Sequence, residues 1–162
     1  MKRRFFTISF VVVSTLQLFA QDDILSEEDF NLANESYQKA TELFYAKDFQ
    51  KALPLIRLAI RINEGNSDYW SLRSSTHAAL KQLDSALISI ARADELEPNQ
   101  SDYLLVYGNV LFRSKEYTRA AKKYSEALAH QKTSEIPINE GHVFFNRGSC
   151  WLRFGKVWGG EN

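Results

Sequence analysis

From residue 33 onward, apolar positions recur every three or four residues and then break, the period of one-sided helices and not of strands. The clearest stretch runs from Tyr103 to Ser114, breaks at Lys115-Glu116, and resumes from Tyr117 to Ala129. This unit occurs three times. Superposing Ala52, Ala86 and Ala120 brings Ile56, Ile90 and Tyr124 into register, then Ala59, Ala93 and Ala127, at an interval of 34 residues each time. The repeats span residues 33–66, 67–100 and 101–134 without insertion or deletion. Each predicts two antiparallel helices joined at the central break. Small residues stand at Ala40, Ser74 and Gly108 on the first helices and at Ala52, Ala86 and Ala120 on the second. Helices approach closely only where a side chain is nearly absent. Asn66-Ser67-Asp68 supplies cap chemistry for one helix, Pro98-Asn99 closes another, and Pro54 falls early in a second helix, where proline is tolerable.

A fourth copy begins at residue 141 after a connector, residues 135–140, in which Ile136-Pro137-Ile138 cannot be regular helix. Its first helix is expected from Gly141 to Phe154, with Phe144, Gly148 and Trp151 on the face that Leu104, Gly108 and Leu111 use in the third repeat. Gly155-Lys156 then resembles the turn between paired helices, but residues 157–162 hold no second-helix pattern, so Trp151, Phe154 and Trp158 lack a covering partner. Repeat arrays need polar caps. Three readings stay open for residues 141–162: an improvised cap, a surface that docks another chain, or a truncated remnant of a longer array. At the other end, residues 21–32 form an acidic extension whose Ser26-Glu27-Glu28-Asp29 reads as a helix start that lengthens the first helix backwards.

Charge changes the picture at the N-terminus. The chain has 20 Lys+Arg against 20 Asp+Glu, but Lys2, Arg3 and Arg4 precede an uncharged apolar run from Phe5 to Ala20, followed by Gln21-Asp22-Asp23. That is the three-part pattern of a secretory signal, residues 1–20, with cleavage expected after Ala20; the alternative is an uncleaved N-terminal anchor, since Leu18 is larger than the usual residue there. Removal leaves 17 positive against 20 negative side chains, so no nucleic-acid partner is expected. After cleavage no membrane association is expected, and the protein would be exported, periplasmic or secreted. The one cysteine, Cys150, excludes an internal disulfide framework and reads as a small buried hydrophobe. No phosphate-cradling loop, nucleophile elbow or metal-binding histidine pair is present; His77, His130 and His142 lie in different repeats, and His77 holds a packing position. No enzymatic activity and no cofactor are expected. Asp84, Asp94 and Glu95 read as solvated surface.

Taken together, these residues resemble the tetratricopeptide repeat (TPR) family, whose 34-residue motif runs Trp, Leu, Gly, Tyr, Ala, Phe, Ala, Pro. Repeat two carries Trp70, Ser74, Ala86, Ile90, Ala93 and Pro98; repeat three carries Leu104, Gly108, Leu111, Ala120, Tyr124 and Ala127; repeat one carries Ala40, Leu43, Ala52, Ile56 and Ala59. Departures are Ser36 at the Trp position, His77 at the Tyr position, and Glu64 and Lys132 where Pro is usual. With its leader, the chain is similar to exported bacterial members of the family. The resemblance implies an all-α, right-handed superhelical solenoid of three full repeats and a half. It also implies a noncatalytic scaffold whose inner groove, lined by first helices, holds a protein or peptide partner. Carried over by position, the groove residues are Asn34, Tyr37, Thr41, Phe44 and Tyr45; Asp68, Ser71, Ser75 and Ala78; Asp102, Leu105, Asn109, Phe112 and Arg113; and Phe145, Ser149 and Arg153. Asn109 would reach a peptide backbone, with Phe44, Tyr45 and Phe112 burying its side chains, unless Phe44 and Phe112 serve packing between repeats. One subclass of the family grips a C-terminal carboxylate with lysine, asparagine and arginine. Tyr37, Thr41, Leu72, Asp102 and Val106 occupy those positions here, so that clamp is missing.

Overall fold

The structure, a computed structural model, describes residues 25–131 and 138–158, the last three by their backbone alone. The proposed leader at residues 1–20, Ile136-Pro137 of the connector, Lys132 and the Trp158 side chain therefore lie outside the described residues. Among the described residues seven helices succeed one another: α1 Glu27–Tyr45, α2 Phe49–Ile62, α3 Ser67–Ala79, α4 Leu83–Leu96, α5 Ser101–Arg113, α6 Tyr117–His130 and α7 Glu140–Trp158. No strand occurs among the described residues.

Local chemistry sets the boundaries. The Ser26 hydroxyl accepts a hydrogen bond from the Asp29 amide at 3.1 Å, which starts α1 early and makes it 19 residues long. Asn66 Oδ1 accepts from the Asp68 and Tyr69 amides at the head of α3. Each pair then turns on a lysine in the left-handed region, Lys47 (φ 61°), Lys81 (φ 63°) and Lys115 (φ 64°), one per repeat. A β-carbon is disfavoured in that conformation, so the turn is held by the packing of the helices on either side of it and not by its own residue. The exposed Pro54 stands inside α2 without ending it.

That packing differs in detail from repeat to repeat. Ala40 packs with Ala52 and Ile56. In the second repeat the Ser74 hydroxyl donates to the Ala86 carbonyl at 2.9 Å. In the third, a β-carbon at Gly108 would come within 2.6 Å of the Tyr124 ring, so only glycine fits there. Ile56, Ile90, Leu111 and Tyr124 are fully buried between helices.

The last helix departs from expectation. α7 extends four residues past the predicted Phe154 limit and passes through Gly155 and Lys156 as helix, where a turn was expected. Glycine is the residue best suited to a left-handed turn, yet none of the described glycines has a positive φ. The chain turns back at the three lysines, each of which precedes an Ala-x3-large-x2-Ala helix.

Candidate peptide-binding groove

First helices of successive repeats touch one another, α1 with α3, α3 with α5 and α5 with α7, whereas second helices pack chiefly on first helices. The first-helix side is thus the inside of the curve. There, between α3 and α5, lies a cleft of about 180 Å³ lined by Ser75, Ala78, Val106, Asn109, Val110 and Arg113. It gathers four of the expected groove residues, Ser75, Ala78, Asn109 and Arg113. Asn109 is positioned by a relay: its Oδ1 accepts from the Tyr124 hydroxyl at 2.8 Å and from Asn146 Nδ2 at 3.2 Å. Its carbonyl is therefore occupied, and its amide nitrogen is the group left to offer a ligand.

The other expected residues fall into two kinds. Some are structural. Tyr37 is half-buried, its ring 4.9 Å from that of Tyr69 across the first inter-repeat junction, and its carbonyl accepts from the Thr41 hydroxyl. Phe44 meets Phe49, and Phe112 meets Tyr117, in edge-on contacts with centroids 5.4 and 5.5 Å apart, so both aromatics brace the turn within their own repeat, and Phe112 also packs on the cluster that holds Val143 and Cys150 of α7. Leu105 packs on the cluster containing Leu111 and Tyr124. Ser71 and Ser149 are half-buried. Tyr45, Arg113, Phe145 and Arg153 are the exposed members. The Arg153 guanidinium sits 5.7 Å from the Phe112 ring, joining α7 to α5 by a cation–π contact. Arg153 also lines a separate opening with Lys115, Glu116, Tyr117, Thr118, Arg119 and Phe154, away from the α3–α5 cleft.

Sequence reasoning missed a ladder. The Tyr69 hydroxyl donates to Asn34 Oδ1 at 2.8 Å, and the Tyr103 hydroxyl to Asp68 Oδ1 at 2.7 Å with Ser67 Oγ 2.9 Å away. Each ties a repeat to the one before it and uses a residue that the repeat pattern assigned to the groove. A tyrosine 35 residues after an amide or carboxylate was the available signal. Burial, with the nearby Asp68 and Glu97 charges adding to it, lifts the Asp102 carboxyl above the usual range. Asp68 and Asp102 stand in the first turns of α3 and α5, at the opposite end of those helices from Ala78 and Arg113.

Elsewhere the chemistry is quiet. Among the described residues no group of three metal-ligating side chains occurs. Cys150 is buried, its thiol raised by burial and donating to the Asn146 carbonyl. Asp94 pairs with Lys123 at 3.0 Å and Glu95 with Arg92 at 3.1 Å. His77 is buried, with Nδ1 2.6 Å from Gln82 Oε1 and Nε2 unpartnered. No helix of the described residues is long and apolar enough to cross a membrane.

No protein-family model matches the chain. It is 28% identical over 118 residues to Hsp70-Hsp90 organizing protein 1 of Glycine max, a match covering 72% of this chain and 21% of that protein. The chain thus spans about a fifth of that relative's length. Among solved structures, the Sgt2 TPR domain from Aspergillus fumigatus superposes with a TM-score of 0.69 at 17% identity, covering 77% of this chain and 80% of the other. The first TPR of Spaghetti (RPAP3), bound to the HSP90 peptide SRMEEVD, gives 0.69 at 14% identity, covering 78% and 95%. With its 34-residue register, its paired helices and these neighbours, the chain folds as a tetratricopeptide-repeat solenoid.

Proposed function

We propose that this protein is a noncatalytic interaction scaffold that holds a peptide or an extended protein segment on its first-helix face, outside the cytoplasm. The observation that carries the reading is the α3–α5 cleft, where a hydrogen-bonded Asn109, an exposed Arg113 and a small Ser75 surround an unfilled space on the concave side. A positioned amide donor beside an apolar floor of Ala78, Val106 and Val110 suits a peptide carbonyl with a modest side chain next to it.

Relatives and neighbours whose names refer to Hsp70 and Hsp90 support peptide binding as the use of such a face, but the ligand here differs in charge. Tyr37, Thr41, Leu72, Asp102 and Val106 stand where a carboxylate clamp would need basic and amide side chains, so an internal segment without a terminal carboxylate is the better fit. The export setting rests on Lys2, Arg3 and Arg4 ahead of the apolar run to Ala20; N-terminal sequencing of the protein recovered from its producing cells tests it, with Gln21 expected as the first residue.

To test the groove, peptides selected for binding from a random display library would be titrated against the protein and against Ser75→Arg and Asn109→Ala. At least a tenfold loss is expected in both, with unchanged helical circular dichroism, while SRMEEVD binds none of the three proteins. Equal binding by wild type and by both folded variants would place the ligand elsewhere.

A further inference from the structure

The junction between the first and second repeats holds charge where the next junction holds apolar bulk. Arg73 and His77 stand on α3 at the repeat positions that Tyr107 and Leu111 fill on α5. They share a face about 160° around the helix from Ser71 and Ser75, so they lie behind α3 and not in the groove. Both are held in place. The Arg73 guanidinium is 5.2 Å from the Trp70 ring centroid, and the Trp70 indole nitrogen donates to the Glu64 carbonyl at 2.8 Å. The His77 ring, 4% exposed, is fixed by the bond between Nδ1 and Gln82. Arg73 Nε and His77 Nε2 are buried, and neither has a hydrogen-bond partner among the described residues. Arg57, exposed on the adjoining α2, adds a third positive group. Burial, with the Arg57 charge adding to it, holds the Arg73 guanidinium below its ordinary value, and the charges acting on His77 are likewise positive. At the next junction the corresponding cation is neutralised: Lys123, 4.9 Å from the Tyr107 ring, pairs with Asp94 at 3.0 Å and with Glu126 at 3.1 Å.

We propose that Arg57, Arg73 and His77 form a binding site for a phosphate group. Charge partly removed from water is unfavourable unless it is paired, and the described residues supply no carboxylate to these arginines. A Tyr and a Leu at the same repeat positions serve packing on α5, so an Arg and a His there answer a need other than the fold's. Two guanidinium groups on neighbouring helices offer donors from more than one direction, which suits the oxygens of a tetrahedral dianion better than the planar pair of a carboxylate. His77 completes the set. Its Nδ1 proton goes to Gln82 Oε1, so Nε2 becomes a donor when the ring takes a second proton, and a bound dianion favours that form. The charges opposing this proton are Arg73 on α3 and Arg57 on α2, and from the α4 side the ring meets the uncharged Gln82. Phosphate offsets both of those charges at once.

Calorimetric titration of the full 162-residue chain with inorganic phosphate, at about pH 7 and constant ionic strength, is expected to show one site with a Kd of about 1 mM or tighter. Arg57→Gln, a surface change that leaves the fold intact, and Arg73→Leu, which restores an apolar side chain, should each weaken binding by about tenfold or more. Arg92→Gln, on the exposed side of α4, should leave it unchanged. In the wild type alone, phosphate should raise the pKa of the His77 imidazole followed by NMR. Phenyl phosphate separates two sources: if it binds, the site accepts a phosphorylated ligand, and if inorganic phosphate alone binds, it takes the free ion. The proposal is overturned if neither phosphate shows saturable binding, if acetate binds as tightly, or if Arg57→Gln keeps the affinity of the wild type.

Discussion

The two glycines of α5 and α7 occupy one repeat position and live in opposite surroundings. At Gly108 the neighbouring helix comes so close that an added methyl would strike the Tyr124 ring, whereas at Gly148 it would meet nothing within 4 Å. One turn further along, Leu111 is 1% exposed and Trp151 is 61% exposed. The helices themselves are equally regular. A first helix of this repeat thus needs no partner on its second-helix face in order to form, because the opposite face, through Val143 and Cys150, is already anchored on the preceding repeat. Covering that face is a separate event, and it is the covering helix that converts small and large side chains into stability.

Truncation should break the equivalence most sharply. Leu111→Ala is expected to cost about 2–5 kcal/mol in urea unfolding, while Trp151→Ala, measured on dilute protein, should stay within about 0.5 kcal/mol. Comparable losses at the two sites would mean that α7 is as firmly covered as α5. Next in size is the glycine pair. Gly108→Ala overpacks against Tyr124 and should destabilise by about 1–3 kcal/mol, and Gly148→Ala should stabilise by up to about 1 kcal/mol through helix propensity alone. Opposite signs from one substitution would mark the difference between a contacted and an open glycine.

A smaller effect of the same kind separates the turns. Lys115→Gly relieves a left-handed β-carbon and should add about 0.5–1 kcal/mol, whereas Gly155→Ala removes a glycine from a helix and should also stabilise, so glycine is wanted at one repeat position and unwanted at its equivalent. Should Gly155→Ala destabilise, the chain would turn at that point in solution. The smallest effect is a pH dependence at His77, which shares its repeat position with Leu111 and Trp151. Burial, with the Arg73 and Arg57 charges adding to it and the Gln82 bond opposing, holds this imidazole below its ordinary value of 6.5. The neutral form belongs to the folded state, so its contribution is complete above that value and is lost as pH falls through it toward the lowered one. Urea midpoints should therefore drop between about pH 7 and pH 5 more in wild type than in His77→Leu.

Much of this solenoid could be read in advance. The 34-residue register, the pairing of helices, the cap at Asn66 and the early start of α1 at Ser26 arise from spacing and local hydrogen-bonding chemistry. The groove was legible only in part. Position along the repeat led to Ser75, Asn109 and Arg113, which do share a cleft, but it could not reveal that Asn34 and Asp68 are engaged by tyrosines of the next repeat. Nor could it reveal that Phe44 and Phe112 lean on their own turns. A groove residue and a junction residue can have the same sequence spacing, and only the angle between helices distinguishes them.

By itself the sequence determined where helices form and which faces are apolar, because a 3.6-residue period and end-capping side chains act within a few residues of each other. Tertiary structure decided where the chain reverses and what each polar atom can still bind. Lysines at 47, 81 and 115 adopt a turn conformation they intrinsically disfavour because a packed helix comes next, and Gly155, intrinsically suited to that turn, stays helical within α7. The reason is one of scale: local preference amounts to about 1 kcal/mol per residue, and burying a helix face against its partner outweighs several such preferences.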